Sequence, residues 1–162
     1  MLIISQYHLM EVEPGCFHVN SYEVNACPVC GYTVAVIGTR RRKFINTTGD
    51  KQTLIIRRLR CKDCRVIHHE LPDILIPYKR HCAETVENVV SGNEDNVCCE
   101  NHTIRRIKEW WAACRLYFEG ILSSLREKYG DVLSLEPAPR EIVRAVTNAN
   151  FWIHTRSASL SG

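Results

Sequence analysis

Two cysteine pairs, "CPVC" at 27–30 and "CKDC" at 61–64, constrain this chain more than any other feature. Two residues between cysteines let both thiolates of a pair reach one ion from a tight turn. Two such turns brought together complete a tetrahedral four-sulfur shell that suits Zn2+. The spacer has the right character to bring them together. "YTVAVIG" and "TLIIRRL" are rich in β-branched residues, and "NTTGDKQ" between them reads as a turn. The expectation is a zinc ribbon with Cys27, Cys30, Cys61 and Cys64 as ligands of one structural zinc. Four thiolates close the coordination shell, whereas a catalytic zinc keeps a position open for water. An iron–sulfur cluster fits the same four ligands, and spacing alone does not choose between them. Gly31 supplies the positive φ that the first knuckle needs, and Arg65 in the equivalent place predicts a less regular second knuckle.

The cysteine count supports metal rather than disulfides. Nine cysteines in 162 residues is an odd number, and "MLIISQYHLMEVEPG" lacks the basic start of a secretory signal. No apolar run approaches the roughly 20 residues needed to span a bilayer. The expected setting is soluble and cytoplasmic, with no membrane partner and no small-molecule substrate. Cys16, Cys82, Cys98, Cys99 and Cys114 read as small buried apolar residues, with Cys82 beside His81 the one other pair worth testing for metal.

Charge is unevenly distributed. Residues 40 to 80 hold twelve Lys and Arg against four acids, while the rest of the chain is net negative and the total is +3. A local basic field of this kind points to a polyanion such as nucleic acid. Its candidate contacts are Arg40, Arg41, Arg42, Arg57, Arg58, Arg60, Lys79 and Arg80.

After Lys79 the pattern changes from strand to helix. "CAETVENVVSG" places Ala83, Val86, Val89 and Val90 at helical spacing and stops at Gly92. "NHTIRRIKEWWAACRLYFEGILSSLREKYG" is a long amphipathic segment with Asn101 as N-cap and Gly130 as its stop. Its apolar face carries Ile104, Ile107, Trp110, Trp111, Cys114, Phe118, Ile121, Leu122 and Leu125, and both Trp residues read as core. "REIVRAVTNANFW" predicts a last short helix before a polar tail. A short helix, a polar turn and a second helix suggest a helix-turn-helix. His102, Thr103, Arg105, Arg106 and Lys108 would lie at the exposed start of its recognition helix. The fold class is therefore α+β: a β-rich zinc-ribbon domain with N-terminal strands over residues 1–78, then a helical helix-turn-helix-like bundle over residues 79–162.

The segment "RVIHHELPDILIPYKRHC" joins the two parts. Pro72 and Pro77 argue against a continuous helix, so it reads as an extended connector. Its histidines are expected to hydrogen-bond across the junction or to touch phosphate. A metal-dependent hydrolase built on His68, His69, Glu70 and Asp73 is the weakest reading.

Taken together, "CPVCG", "LIIRRLRCKDCRVIHHELPDILIPYKRHCAETVE" and "NHTIRRIKEWW" resemble an uncharacterised family of bacterial zinc-ribbon proteins associated with transposable elements. They are also similar to the N-terminal ribbon and helix-turn-helix region of certain insertion-sequence transposases. The resemblance covers about residues 25 to 125, and the C-terminal "FWIHTRSASLSG" is similar to the same group. It implies zinc ligation by the four cysteines and DNA contacts from Thr103, Arg105 and Arg106. Catalysis is not implied. A transposase needs a trio of carboxylates on an RNase H-like core, and no strand series follows residue 80. The expected function is double-stranded DNA binding by a non-catalytic accessory or regulator of a mobile element. The alternative is a protein–protein adaptor, or a homodimer, docking through the ribbon and the long apolar helix.

Overall fold

The computed structural model describes residues 1–130, 133 and 136–153. The polar tail, and the part of "FWIHTRSASLSG" after Ile153, lie outside the described residues. The described residues form a mixed α+β fold of six strands and three helices. The strands are β1 (Leu2–Ile4), β2 (Tyr7–Glu13), β3 (Cys16–Ser21), β4 (Val34–Ile45), β5 (Lys51–Cys61) and β6 (Ile67–Pro72). The helices are α1 (Ala83–Val90), α2 (Asn101–Tyr129) and α3 (Pro139–Asn148), with a single 3-10 turn at Glu94–Asn96.

The expected hairpin is β4 with β5, antiparallel from Val34↔Cys61 to Ile45↔Lys51. β5 is the axis of the sheet. Along one side it pairs only with β4, and along the other it pairs first with β3 in parallel and then with β6 antiparallel. β1 continues the sheet beyond β6, and β2 beyond β3. Because two strands share one edge of β5, the sheet diverges into two wings.

Strand alternation sends successive side chains to opposite faces, and both faces of β5 are used. Leu54 and Ile56 are buried in a cluster with Val86 and Val89 of α1, Ile107 of α2 and Val143 of α3. Leu59 and Cys61, of opposite parity, are also buried and do not belong to that cluster. Helices therefore cover one face near the start of β5, and the cysteine loops cover the other near its end. Each fully buried aliphatic side chain is worth about 1.5–3 kcal/mol of transfer free energy. The helix-side cluster draws on residues from both sides of position 78, from Ile3 and Ile4 to Val89 and Val143.

Two polar clamps attach α3. Asn148 accepts from the Ile3 N–H at 2.7 Å and donates to the Ile3 carbonyl at 2.8 Å, so its amide pairs with edge strand β1 as a neighbouring strand would. Arg140 reaches Glu87 of α1 through Nε at 2.8 and 3.0 Å.

The structure corrects several expectations. The segment 65–82 is not merely a connector: Ile67–Pro72 is β6, inside the sheet between β1 and β5. Pro72 is tolerated there as the last strand residue, where its missing N–H costs no ladder bond. The expected N-terminal strands are three, β1 to β3, and all of β1 is buried. Asn101 is the first residue of α2 and Glu100 occupies the cap position, without a side-chain capping bond. The apolar face of α2 is as expected, with Ile107, Cys114, Phe118 and Leu122 buried and Trp110 and Trp111 packed against Phe118. Of the five further cysteines, Cys16, Cys82 and Cys114 are buried, but Cys98 is exposed and Cys99 half-buried. Cys82 does not pair with His81. Its thiol lies 3.2 Å from the Thr85 hydroxyl, while His81 Nδ1 lies 3.4 Å from Cys99.

Candidate metal centre and cationic face

The two knuckles are built alike. Cys27 donates its N–H to the Tyr32 carbonyl at 2.8 Å, and Cys61 donates to the Val66 carbonyl at 3.0 Å. Both turns end on a left-handed residue, Gly31 at φ 77° and Arg65 at φ 64°. The second knuckle is thus as regular as the first, contrary to expectation, and Arg65 bears a conformation that disfavours a Cβ by roughly 1–2 kcal/mol.

The hairpin places these turns side by side. The four sulfurs of Cys27, Cys30, Cys61 and Cys64 lie within 4.8 Å of one another, the only such group of potential ligands among the described residues. Cys27 and Cys64 are 3.6 Å apart at sulfur, and Cys30 and Cys61 are 3.5 Å apart. A tetrahedron with metal–sulfur bonds of about 2.3 Å has edges of about 3.8 Å, so the donor set fits such an ion. The packed thiols also compete for charge. Burial opposes ionisation of Cys61, but the Asp63 and Cys64 backbone and the neighbouring thiols outweigh it and bring Cys61 down to about 7. A backbone bond at Val66 favours the Cys64 thiolate, yet burial and the other three thiols push it up to about 12. A dication would remove that conflict by stabilising all four thiolates together.

Consecutive histidines of β6 point to opposite faces of the sheet. His68 pairs in register with Leu59, on the cysteine side. Its side chain is 2% exposed and its Nε2 lies 3.2 Å from Cys27 Sγ. Next along the same face is Glu70, 1% exposed. Arg57 donates to it twice, through Nε and Nη2, each at 2.6 Å, and Asn25 donates once at 3.0 Å. None of these partners was anticipated. No local signal in "IHHELP" reveals them, because the buried alternate positions, His68 and Glu70, are polar while Ile67 is exposed.

His69 pairs in register with Arg58, on the other face. Arg58, Arg60 and, across the hairpin, Arg40 and Arg42 share that side by register. Burial, then the charges of Arg40 and Arg58, lower the His69 pKa. Burial and Arg40 likewise lower the Arg42 pKa, and Arg42 donates to the Lys79 carbonyl at 2.9 Å. From there the face runs into a cleft of about 1020 Å3 lined by Lys79, Arg80, His81, Thr103 and Arg106. The Lys79 ammonium stands 4.0 Å above the Trp110 ring, and burial, reinforced by Arg106, brings its pKa down to about 8. Among the described residues no ion pair engages Arg40, Arg58, Arg60, Arg80 or Arg106.

The candidate contact residues singled out from sequence thus divide. Arg40, Arg42, Arg58, Arg60, Lys79, Arg80, Thr103 and Arg106 gather on the cationic side or its cleft. Arg41 and Arg57 face the opposite way, with Glu13 and Glu70 as partners. At the start of α2, Arg105 pairs with Glu109 and Lys108 with Glu94, while His102 is exposed. The acid/base set His68, His69, Glu70 and Asp73 does not converge. Asp73 accepts from the Tyr7 hydroxyl at 2.9 Å, and the other three are divided between two faces. Among the described residues no helix is long and apolar enough to cross a membrane.

A family model described as "Domain of unknown function (DUF6431)" matches residues 27–107, half of the chain, from the first cysteine knuckle to the first turns of α2. Neither a curated protein nor a solved structure matches the chain.

Proposed function

The chain belongs to the DUF6431 family, and from that premise we propose that it is a DNA-binding protein whose ribbon is stapled by one structural zinc. The observation that carries this reading is the cationic face. Like charges brought together on a fold cost stability unless a polyanion offsets them. Here burial and the charges of Arg40 and Arg58 lower the proton affinity of His69, burial and Arg40 that of Arg42, and burial and Arg106 that of Lys79. The hairpin arm and the start of α2 border the same cationic side, so duplex phosphates could run from one to the other. A two-stranded ribbon and a helix are the two elements that a major groove admits. In this reading α1, the turn at 91–100 and α2 act as a helix-turn-helix-like unit, with Thr103 and Arg106 nearest the backbone. The setting implied by the sequence resemblance is a mobile element, with the protein as a non-catalytic accessory.

Fluorescence anisotropy of a labelled duplex, titrated between 50 and 300 mM salt, tests the proposal. The logarithm of affinity should fall linearly with that of salt, with a slope of roughly −0.9 per phosphate neutralised. Arg40→Ala with Arg58→Ala should reduce that slope by about 2. Arg105→Ala with Arg106→Ala tests the helix separately. Affinity independent of salt, or unchanged in both double variants, would remove the reading.

The adaptor reading draws on a different observation. A groove of about 1250 Å3 between the N-terminal strands, α2 and α3 is lined by Tyr22, Val24, Ile121, Leu125, Tyr129 and Phe151, and Val24 is fully exposed. Sedimentation analysis at rising concentration would reveal self-association through it.

A further inference from the structure

We propose that His68 is the positioning residue of the metal centre, donating its Nε2–H to the Cys27 thiolate and thereby securing the bound ion. The inference rests on the four-cysteine metal reading and is independent of DNA binding. Three observations support it. His68 is among the few buried polar side chains, and in that cluster of buried groups its Nε2 has one partner, Cys27 Sγ at 3.2 Å. Its Nδ1 is buried without a hydrogen-bond partner. A buried polar ring is costly unless its surviving bond is a strong one, and a donor aimed at an anion is stronger than one aimed at a neutral acceptor. Finally, β6 holds the ring from outside both knuckles, since His68 pairs with Leu59 two residues before Cys61.

The physical consequence is specific. Four thiolates around a dication leave two net negative charges in a largely buried site. An N–H donor on one sulfur offsets part of that charge and holds the sulfur in place. It also ties Cys27 to β6, in addition to the Ala26–Thr33 bridge that closes its own knuckle and the bond from Lys62 N–H to the Thr33 carbonyl. Partners of this kind outside the coordination shell typically change metal affinity 10- to 100-fold. The imidazole is not itself a ligand in this arrangement, because the four sulfurs already close the shell.

The test compares His68→Gln, which keeps an N–H donor at the same reach, with His68→Leu, which fills the space without one. Each purified protein is loaded with Zn2+, and transfer of the ion to a chromogenic chelator is followed at pH 7.5. Co2+-loaded samples are examined in parallel, because the sulfur-to-cobalt absorption reports the number of thiolates. Circular dichroism checks that each variant folds. The expected result is one ion per chain with four thiolates in all three proteins. Release should be about 10-fold or more faster from His68→Leu and close to the parent rate from His68→Gln. Equal release from the parent and His68→Leu overturns the proposal, as does equal acceleration in both variants, which would mean packing alone. A three-thiolate cobalt spectrum in the parent that changes in His68→Leu overturns it in another way, making His68 a ligand. If the parent binds no metal, the four-cysteine reading itself fails and this inference with it. If His68→Leu does not fold, His68→Gln still decides: parent-like release supports the donor, and accelerated release refutes it.

Discussion

The two faces of the β5–β6 pair are built from the same residue types and treat charge in opposite ways. On the cysteine side each charged or polar group meets a partner: Arg57 meets Glu70, Asn25 meets Glu70, and His68 meets Cys27. On the other side Arg40, Arg58 and His69 meet one another. One residue of strand separates the two regimes, because neighbours in a strand face opposite ways. The comparison teaches that a basic stretch in sequence is two populations in structure: cations paired within the fold and cations that no ion pair engages among the described residues.

The largest expected effect falls on the cysteine side. Cys61→Ser should abolish metal binding, measured as metal per chain, and with it most cooperative unfolding of the ribbon. Structural zinc contributes about 10–16 kcal/mol of apparent binding free energy in small folds. Metal retained in that variant would break the four-ligand reading. Next is the contrast of adjacent arginines. Arg57→Ala strands the buried Glu70 carboxylate with Asn25 alone and should cost about 3–5 kcal/mol in urea unfolding. Arg58→Ala, one residue on, removes a cation that has no ion-pair partner and should change stability by no more than about 0.5 kcal/mol. Similar losses in both would erase the distinction between the faces.

Two smaller effects sharpen it. Arg65→Gly relieves a left-handed residue in the second knuckle and should stabilise the fold by about 0.5–1 kcal/mol, whereas Gly31→Ala introduces the same strain into the first. Thermal melts of the two variants should move in opposite directions. The pH dependence is smallest. The folded-state pKa of His69 is lowered by burial and by Arg40 and Arg58, so the unfolded chain takes up this proton first. Its contribution to stability is complete above an unfolded value of about 6.5 and is lost as pH falls through that value towards the folded one. Arg40→Ala should shrink that loss. In the DNA reading the sign reverses for binding, since phosphate favours the charged imidazole and affinity should rise between pH 7.5 and 6. His69→Gln should flatten that rise.

Much of the site was legible without coordinates, for physical reasons that differ by element. The CxxC pairs announce themselves because metal ligation demands a fixed local spacing, and the hairpin between them follows from β-branched runs around a turn. The face of α2 is readable because 3.6-residue periodicity is a local property: Ile107, Cys114, Phe118 and Leu122 are all buried as expected. The "IHHELP" stretch was opaque because six residues with two histidines, a glutamate and a proline carry no apolar-in alternation. Its strand character comes from pairing with β1 and β5, and neither partner is its neighbour in sequence.

By itself, then, the sequence determined the elements whose causes are local: two cysteine knuckles, a hairpin, an amphipathic helix and a mixed α+β composition. The tertiary structure decided which side each charge faces. The register of β5 against β4 and β6 sends Arg57 and His68 to the cysteine side, and Arg58 and His69 to the cationic one. That choice could not be local, because a shift of one residue in the same strand would exchange the two sets.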